Sequence, residues 1–220
     1  MMEPTDGQVP AKVAETLGDD EVHVWRLAYD RHQGREPLRA VLAAYLDCPP
    51  HAVQLTQSEY GRPALAAEHG GTLDFNWTHS GDQALIALAR GIAPGIDLER
   101  LRPRPHALDI ARRFFHAEEA ANLIGLDPAQ RDAAFLRLWT AKEAVVKALG
   151  RGLAYGLHRL SIALLPQGLV LRVLDGDDPA RWQLHELALD EAHVAALAWR
   201  GGARTVRCWT LAGDGRSAHC

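Results

Sequence analysis

A mixed α+β fold is predicted from three features of the chain. Short apolar stretches with period-two alternation occur in both halves. Between them stand a few segments whose apolar residues recur at helical spacing. The two kinds do not alternate in the steady strand–helix–strand order that builds a doubly wound sheet. With 220 residues, the chain has room for one large domain or for two lobes of roughly 100 residues each.

The elements follow in order. Residues 1–20 are polar and contain Gly and Pro, which predicts a flexible N-terminal segment. Val22–Leu27 alternates apolar and polar residues, as a half-buried strand does. From Arg35 to Leu46 the residues Leu38, Val41, Leu42 and Tyr45 recur at helical spacing, and Cys48-Pro49-Pro50 ends that helix. Residues 58–72 form a turn-rich connection. Residues 84–89 and 95–99 are apolar runs separated by Gly91 and Pro94-Gly95, and read as paired strands. Pro103 and Pro105 introduce a helix through Phe114, and a second covers Glu118–Ile124. A longer helix runs from Pro128 to Leu149, where Gly150 supplies the stop. Beyond Gly156, five period-two stretches read as strands: 160–165, 169–173, 182–188, 193–199 and 205–211. The halves loosely resemble each other, each ending in apolar strands such as 84–89 and 193–199. The expected division is a flexible segment 1–20, a shortened N-terminal lobe 21–94 and a C-terminal lobe 95–220.

Composition narrows the function. The chain is 47% hydrophobic and 24% charged, with a formal net charge of −4. That argues against general nucleic-acid binding, which usually needs a strongly basic surface. No apolar run approaches the ~18 residues of a membrane span. The first twenty residues, with five acids against Lys12, lack the pattern of a signal peptide. Cys48, Cys208 and Cys220 are far apart and form no CxxC pair, which fits a reducing cytoplasm better than a disulfide framework.

Three segments could carry chemistry. In Gly95-Ile96-Asp97-Leu98-Glu99, Asp97 and Glu99 share one face of a strand. Two carboxylates so close raise each other's pKa unless a cation stands between them, and hard oxygen ligands suit Mg²⁺. The same pair would equally serve as a solvated strand face beside Arg100. In the helix 138–147, Glu143 and Lys147 lie one turn apart on a shared face, as a surface ion pair would. Phe75-Asn76-Trp77-Thr78-His79-Ser80-Gly81 offers hydroxyl and imidazole groups suited to phosphate oxygens, or forms a polar hairpin loop. A Ser-His-Asp hydrolase is disfavoured, because no GxSxG elbow occurs.

Together these segments are far more specific. YGRP at 60–63, FNWTHSG at 75–81, GIDLE at 95–99, ARRFF at 111–115 and LWTAKEAVVKALGRGL at 138–153 match in order and separation one known family. The chain resembles the surfactin-type 4′-phosphopantetheinyl transferases across roughly residues 55–165. The resemblance implies two similar α+β lobes related by a pseudo-two-fold axis, with the active site at their interface. It implies transfer of the 4′-phosphopantetheine arm of coenzyme A to a serine of an apo carrier protein, with release of adenosine 3′,5′-bisphosphate. By resemblance, Asp97, Glu99 and Glu143 would hold Mg²⁺ or Mn²⁺. Glu143, Lys147 and His79 would be catalytic, with Glu143 deprotonating the incoming serine. Coenzyme A would be held by Arg62, the Pro63-Ala64-Leu65 backbone, Thr78, His79 and Lys147. Trp139 and Lys142 match the family's tryptophan and lysine; Lys142, about 100° round the helix from Glu143, is expected to do something separate.

Thr78 stands for the family's usual serine, Trp77 for an aliphatic residue and Arg62 for a lysine. The basic segment after the first strand is shortened to Tyr29–Glu36, where Arg31 and Arg35 either replace its contacts to the coenzyme A 3′-phosphate or are solvated. Residues 100–113 hold Arg100, Arg102, Arg104, Arg112 and Arg113 against Asp109, a net +4 that leaves −8 for the remainder. By resemblance this stripe would face an acidic acyl or peptidyl carrier protein. The expected protein is a cytoplasmic monomer that binds neither nucleic acid nor membrane. The alternative readings are a non-catalytic coenzyme A or carrier-binding protein and a small trimeric holo-acyl-carrier synthase, although chains of the latter type are about half this length.

Overall fold

A computed structural model describes residues 5–6 and 10–211. Cys220 and most of the segment 1–9 lie outside the described residues. The chain begins with β1 (Thr5–Asp6), α1 (Pro10–Ala14), β2 (Glu21–Ala28) and α2 (Glu36–Leu46). Two short strands, β3 (Leu55–Gln57) and β4 (Pro63–Leu65), precede β5 (Leu73–Ser80), β6 (Gln83–Arg90) and β7 (Gly95–Arg100). Three helices follow: α3 (Ala107–Phe114), α4 (Ala117–Gly125) and α5 (Pro128–Leu149). The chain then forms β8 (Leu160–Leu165), β9 (Gly168–Leu174), β10 (Trp182–Leu187), β11 (His193–Arg200) and β12 (Thr205–Leu211). The α+β expectation is met.

Two compact units form, and their division differs from the expected one at the C-terminal end. Unit 1 combines residues 1–93 with 203–220, and unit 2 is Pro94–Gly202. Strand β12, expected in the C-terminal lobe, runs parallel to β2 and completes the sheet β1-β12-β2-β6-β5 of unit 1. Parallel pairing of strands so distant in sequence leaves no local signal. Helix α1 also gives residues 10–14 of the expected flexible segment a regular structure, with Val13 and Ala14 buried.

The expected pairing of 84–89 with 95–99 is also corrected. Strand β6 pairs with β2 and β5, whereas β7 pairs antiparallel with β11 in the sheet β10-β11-β7 of unit 2. A Gly- and Pro-containing turn between apolar runs looks like a hairpin from sequence, yet here the chain leaves one unit and starts the next. Within each unit the same order recurs: a strand, helical structure, then a hairpin whose second strand pairs antiparallel with the first strand. In unit 1 these strands are β2 and β5–β6, and in unit 2 they are β7 and β10–β11.

Unit 1 buries Trp25, Leu27, Phe75, Ile86 and Leu88 against Leu38, Val41, Leu42 and Tyr45 of α2. Helix α2 ends at Asp47, in the left-handed region with φ 48°, a position a short polar side chain tolerates. Beneath β12 lies a polar cluster. His23, fully buried, shares hydrogen bonds with the Tyr45 hydroxyl (2.9 Å) and Glu21 (3.1 Å), and Arg207 of β12 donates to Glu21 at 2.5 Å. Burial, the largest influence, holds the His23 imidazole below its ordinary value of 6.5 despite Glu21. Burial pushes Glu21 up, but its bonds with Arg207 and His23 outweigh this and leave it below 4.5.

Both groups therefore bind protons more readily once unfolded, so stability rises with pH across their range. The His23 contribution is complete above pH 6.5 and is lost as pH falls below it. The Glu21 contribution is lost as pH falls below 4.5. Melting curves followed by circular dichroism should show Tm falling as pH drops below 6.5; a constant Tm down to pH 4 would contradict this cluster.

In unit 2, α5 packs across β7 and β11, burying Ala141, Ala144 and Val145 against Ala196 and Ala198. Asp127 caps α5 by accepting from the Ala129 amide, Pro128 occupies its first turn, and Gly150 ends it at φ 71°. Gly95 sets how closely strand and helix meet. A Cβ there would stand 2.0 Å from the Ala144 carbonyl oxygen and 2.4 Å from the Ala148 amide nitrogen. Neither backbone atom can swing aside, so Gly95→Ala should cost about 3 kcal/mol or more of unfolding free energy in urea, and a loss below about 1 kcal/mol would contradict the packing.

Candidate active site

The close approach at Gly95 places the polar side chains of β7 beside the second half of α5. Strand alternation puts Gly95, Asp97 and Glu99 on the helix-facing side, as the sequence predicts. Asp97 is buried and Glu99 partly so. Lys147 reaches across from α5, its Nζ donating to Asp97 Oδ1 at 2.7 Å and to the Ile96 carbonyl at 3.0 Å. Among the described residues two of the three ammonium donors are thus engaged, leaving one to offer elsewhere. On the far side, Arg104 Nη2 donates to Glu99 Oε2 at 2.7 Å.

Glu143 lies one turn before Lys147. Its Oε1 is buried and has no hydrogen-bond partner among the described residues. Burial pushes its carboxyl up to about 7; Asp97 and Glu99 add to the rise, and Lys147 opposes it. A carboxylate in this position gains from any cation brought alongside it.

Asp97, Glu99 and Glu143, the expected metal ligands, are not drawn together into a ready site. Among the described residues no three His, Cys, Asp or Glu side chains stand together as a ready metal cage. Lys147 and Arg104 bond Asp97 and Glu99 instead. The donors nevertheless suit a hard divalent ion: all are oxygen, one is orphaned, and Mg²⁺ commonly takes only one or two carboxylates with water and phosphate.

Lys142 belongs to a different system. Its fully buried ammonium contacts Glu119 at 2.6 Å and donates to the carbonyls of Leu157 (2.9 Å) and Leu160 (2.6 Å). It also stands 5.0 Å from the centre of the Phe115 ring, within cation–π range. Glu119 accepts from the amides of Ile162 and His116. The pair ties α5, α4 and the start of β8 together. Trp139 tilts against Phe115 and Phe135, which agrees with a packing role.

Unit 1 holds the remaining candidates. FNWTHS is strand rather than hairpin loop: Leu73, Phe75, Trp77 and His79 alternate with Asp74, Asn76, Thr78 and Ser80 along β5. Thr78 is buried and His79 exposed. Arg62 is turned inward, its Nη2 donating to Asp74 Oδ1 at 3.0 Å and to the Phe75 carbonyl at 2.8 Å. It anchors the start of β5, a task that sequence reasoning did not foresee. Ala64 and Leu65 line a cavity of about 560 Å³ floored by Gly70, Gly71 and Asp74. Arg31 is exposed on a 3₁₀ turn capped by Asp30.

Among the basic residues of 100–113, Arg100, Arg102, Arg112 and Arg113 are exposed. Arg112 lies 3.7 Å from Asp109, and Arg113 lies over the Phe114 ring. Arg104 is the exception, because its bond to Glu99 draws it into the carboxylate cluster. Its place past the Pro103 turn held the signal, but only the fold shows which acid it meets.

Comparison with known proteins gives a consistent picture. The model of the 4′-phosphopantetheinyl transferase superfamily matches residues 93–198. The 4′-phosphopantetheinyl transferase HetI of Nostoc is 33% identical, over 88% of this chain and 94% of its own. The 4′-phosphopantetheinyl transferase of Bacillus subtilis is 32% identical, over 64% of this chain and 62% of its own. Among solved structures, holo-(acyl-carrier-protein) synthase of Bacillus anthracis, in complex with coenzyme A (3′,5′-ADP), is 19% identical with a TM-score of 0.40, over 50% of this chain and 96% of that one. The Thermotoga maritima synthase gives 22% and 0.39, over 49% and 62%.

Proposed function

Because the chain belongs to the 4′-phosphopantetheinyl transferase superfamily, we propose that its β7–α5 cluster transfers the 4′-phosphopantetheine arm of coenzyme A to a serine of an apo carrier protein. The observation that carries the site assignment is the buried, unpartnered Glu143 Oε1 beside Asp97, Glu99 and Lys147. In the reaction a new bond forms between serine Oγ and the pantetheine-bearing phosphorus. The pyrophosphate bond of coenzyme A breaks, and adenosine 3′,5′-bisphosphate leaves. Catalysis of such a step rests on positioning and charge neutralisation.

Glu143 accepts the serine proton at Oε1, a lone pair that no side chain among the described residues already uses. Lys147 offers its remaining N–H to the pyrophosphate. Asp97, Glu99 and Glu143 would hold Mg²⁺ or Mn²⁺, which when bound neutralises charge growing on the leaving phosphate. Ligand and base duties compete for the lone pairs of Glu143. On this reading the nucleotide end of coenzyme A draws on unit 1: His79 and the Thr78 hydroxyl donate to phosphate oxygens, Arg31 supplies surface charge, and the Pro63–Leu65 backbone lies near the nucleotide. Arg62 acts from behind, by holding β5.

The carrier partner is acidic. Arg100, Arg102, Arg112 and Arg113 remain exposed for it, and the net −8 of the rest of the chain sharpens their contrast. Reversing Arg102 and Arg113 to Glu should raise the KM for carrier about tenfold and flatten its salt dependence, with kcat little changed. An unchanged KM would place docking elsewhere. Among the described residues no helix is long and apolar enough to cross a membrane, and we take the enzyme to act as a cytoplasmic monomer. The direct test is chromatographic. Adenosine 3′,5′-bisphosphate should accumulate only when coenzyme A, Mg²⁺ and apo carrier are all present; release without carrier would indicate hydrolysis instead.

A further inference from the structure

The exposed imidazole of His79 makes no hydrogen bond with the described residues, yet it is not left to rotate. The Tyr29 ring stacks on it at 4.5 Å between centroids with an interplanar angle of 24°. The Trp77 ring flanks it at 5.6 Å, and Tyr29 meets Trp77 edge-on at 5.7 Å. Three rings thus form one cluster, with His79 as its exposed member.

The sheet register explains how Tyr29 gets there. Leu27 of β2 and His79 of β5 both pair with Ala84 of β6, one on each side. Ala84 is fully buried and ends at its Cβ, so on this face it puts no longer side chain between the outer strands. Tyr29 follows β2, and its amide donates to the Asp82 carbonyl at 2.7 Å, which fixes its backbone beside the β5–β6 turn. Its ring can then cross above Ala84. Its hydroxyl donates to the Gly34 carbonyl at 3.4 Å and links the ring to the turn carrying Arg31. Trp77, two residues before His79 on the same face, flanks the imidazole next to Tyr29 and braces the Tyr29 ring edge-on.

We infer that Tyr29 and Trp77 are positioning residues that hold the His79 ring ready to meet a phosphate of the nucleotide. The inference rests on the proposed function for the identity of that nucleotide, but the clamp itself is independent of it. An imidazole fixed in advance loses less rotamer freedom on binding than a free one.

Two readouts test this. In ligand-free protein the His79 ring-proton shifts should carry the Tyr29 ring current; they should move in Tyr29→Leu and stay nearly in place in Tyr29→Phe. Unchanged shifts in Tyr29→Leu would overturn the clamp. Calorimetric titration with adenosine 3′,5′-bisphosphate then measures its use. Tyr29→Leu should weaken binding about fivefold and Tyr29→Phe less than about twofold, and in a His79→Ala background Tyr29→Leu should add almost nothing. An equal loss in both backgrounds would show that Tyr29 acts apart from His79 and would refute the positioning role. Ring shifts that respond to both variants as expected, with wild-type protein that binds no nucleotide, would overturn the functional reading while leaving the clamp standing.

Discussion

Glu143→Gln is expected to lower kcat for carrier modification by about 10²–10⁴-fold, the range typical for loss of a general base. The exchange keeps the shape of the side chain and removes only its capacity to take a proton and carry charge. The fold should not suffer. Burial and the neighbouring carboxylates already push this carboxyl up to about 7, so its ionised form is held at a cost that glutamine does not incur. The variant should melt at or above the wild-type temperature. Loss of activity with an unchanged or raised Tm separates a chemical role from a structural one. Turnover within twofold of wild type would remove Glu143 from the mechanism.

The neighbouring residue should behave in the opposite way. Lys142→Met leaves Glu119 buried without the ammonium 2.6 Å away. Breaking a buried pair on one side typically costs about 3–5 kcal/mol, because the remaining charge is uncompensated. Two carbonyls, of Leu157 and Leu160, lose their donor at the same time. The urea midpoint should fall steeply. The double variant Lys142→Met/Glu119→Gln should recover part of the loss, since the orphaned charge is gone while a side-chain carbonyl remains for the Ile162 amide. A loss below about 1 kcal/mol in the single variant would mean the pair does not brace unit 2. Adjacent residues on one helix thus turn apart: Lys142 points inward to Glu119, and Glu143, about 100° away, stands on the side of Lys147 and Asp97, where the proposed chemistry lies.

Local signals accounted for much of this structure in advance. Helix α5 carries its own start in Asp127-Pro128 and its own stop in Gly150, so its ends were readable from the chain. The shared face of Asp97 and Glu99 followed from strand alternation alone. Strand β5 was readable too, because apolar and polar residues alternate from Leu73 to Thr78, and the polar-hairpin alternative overlooked that period. What local pattern could not supply was pairing at a distance. Strand β7 meets β11 rather than β6, and β12 meets β2, because sheet partners are chosen by the packing of whole units.

Side-chain destinations were hidden for the same reason. Arg62 and Arg104 both looked like cations offered to a ligand or partner, and both meet carboxylates of their own unit. The exposed His79 was visible as a candidate, but the Tyr29 ring that stacks on it lies fifty residues earlier and meets it across β6. Chemistry-bearing residue types were therefore legible in the chain, whereas which of them are free to act was decided by tertiary contacts.

The central claim is that this chain moves phosphopantetheine through the cluster around Glu143. The intact mass of an apo carrier protein tests it most directly, measured after incubation with coenzyme A and Mg²⁺. Wild-type enzyme should add one phosphopantetheine mass increment to the carrier, and Glu143→Gln should leave the carrier unmodified over the same period. No increment on any of several acyl and peptidyl carriers, or an equal increment from both enzymes, would contradict the account.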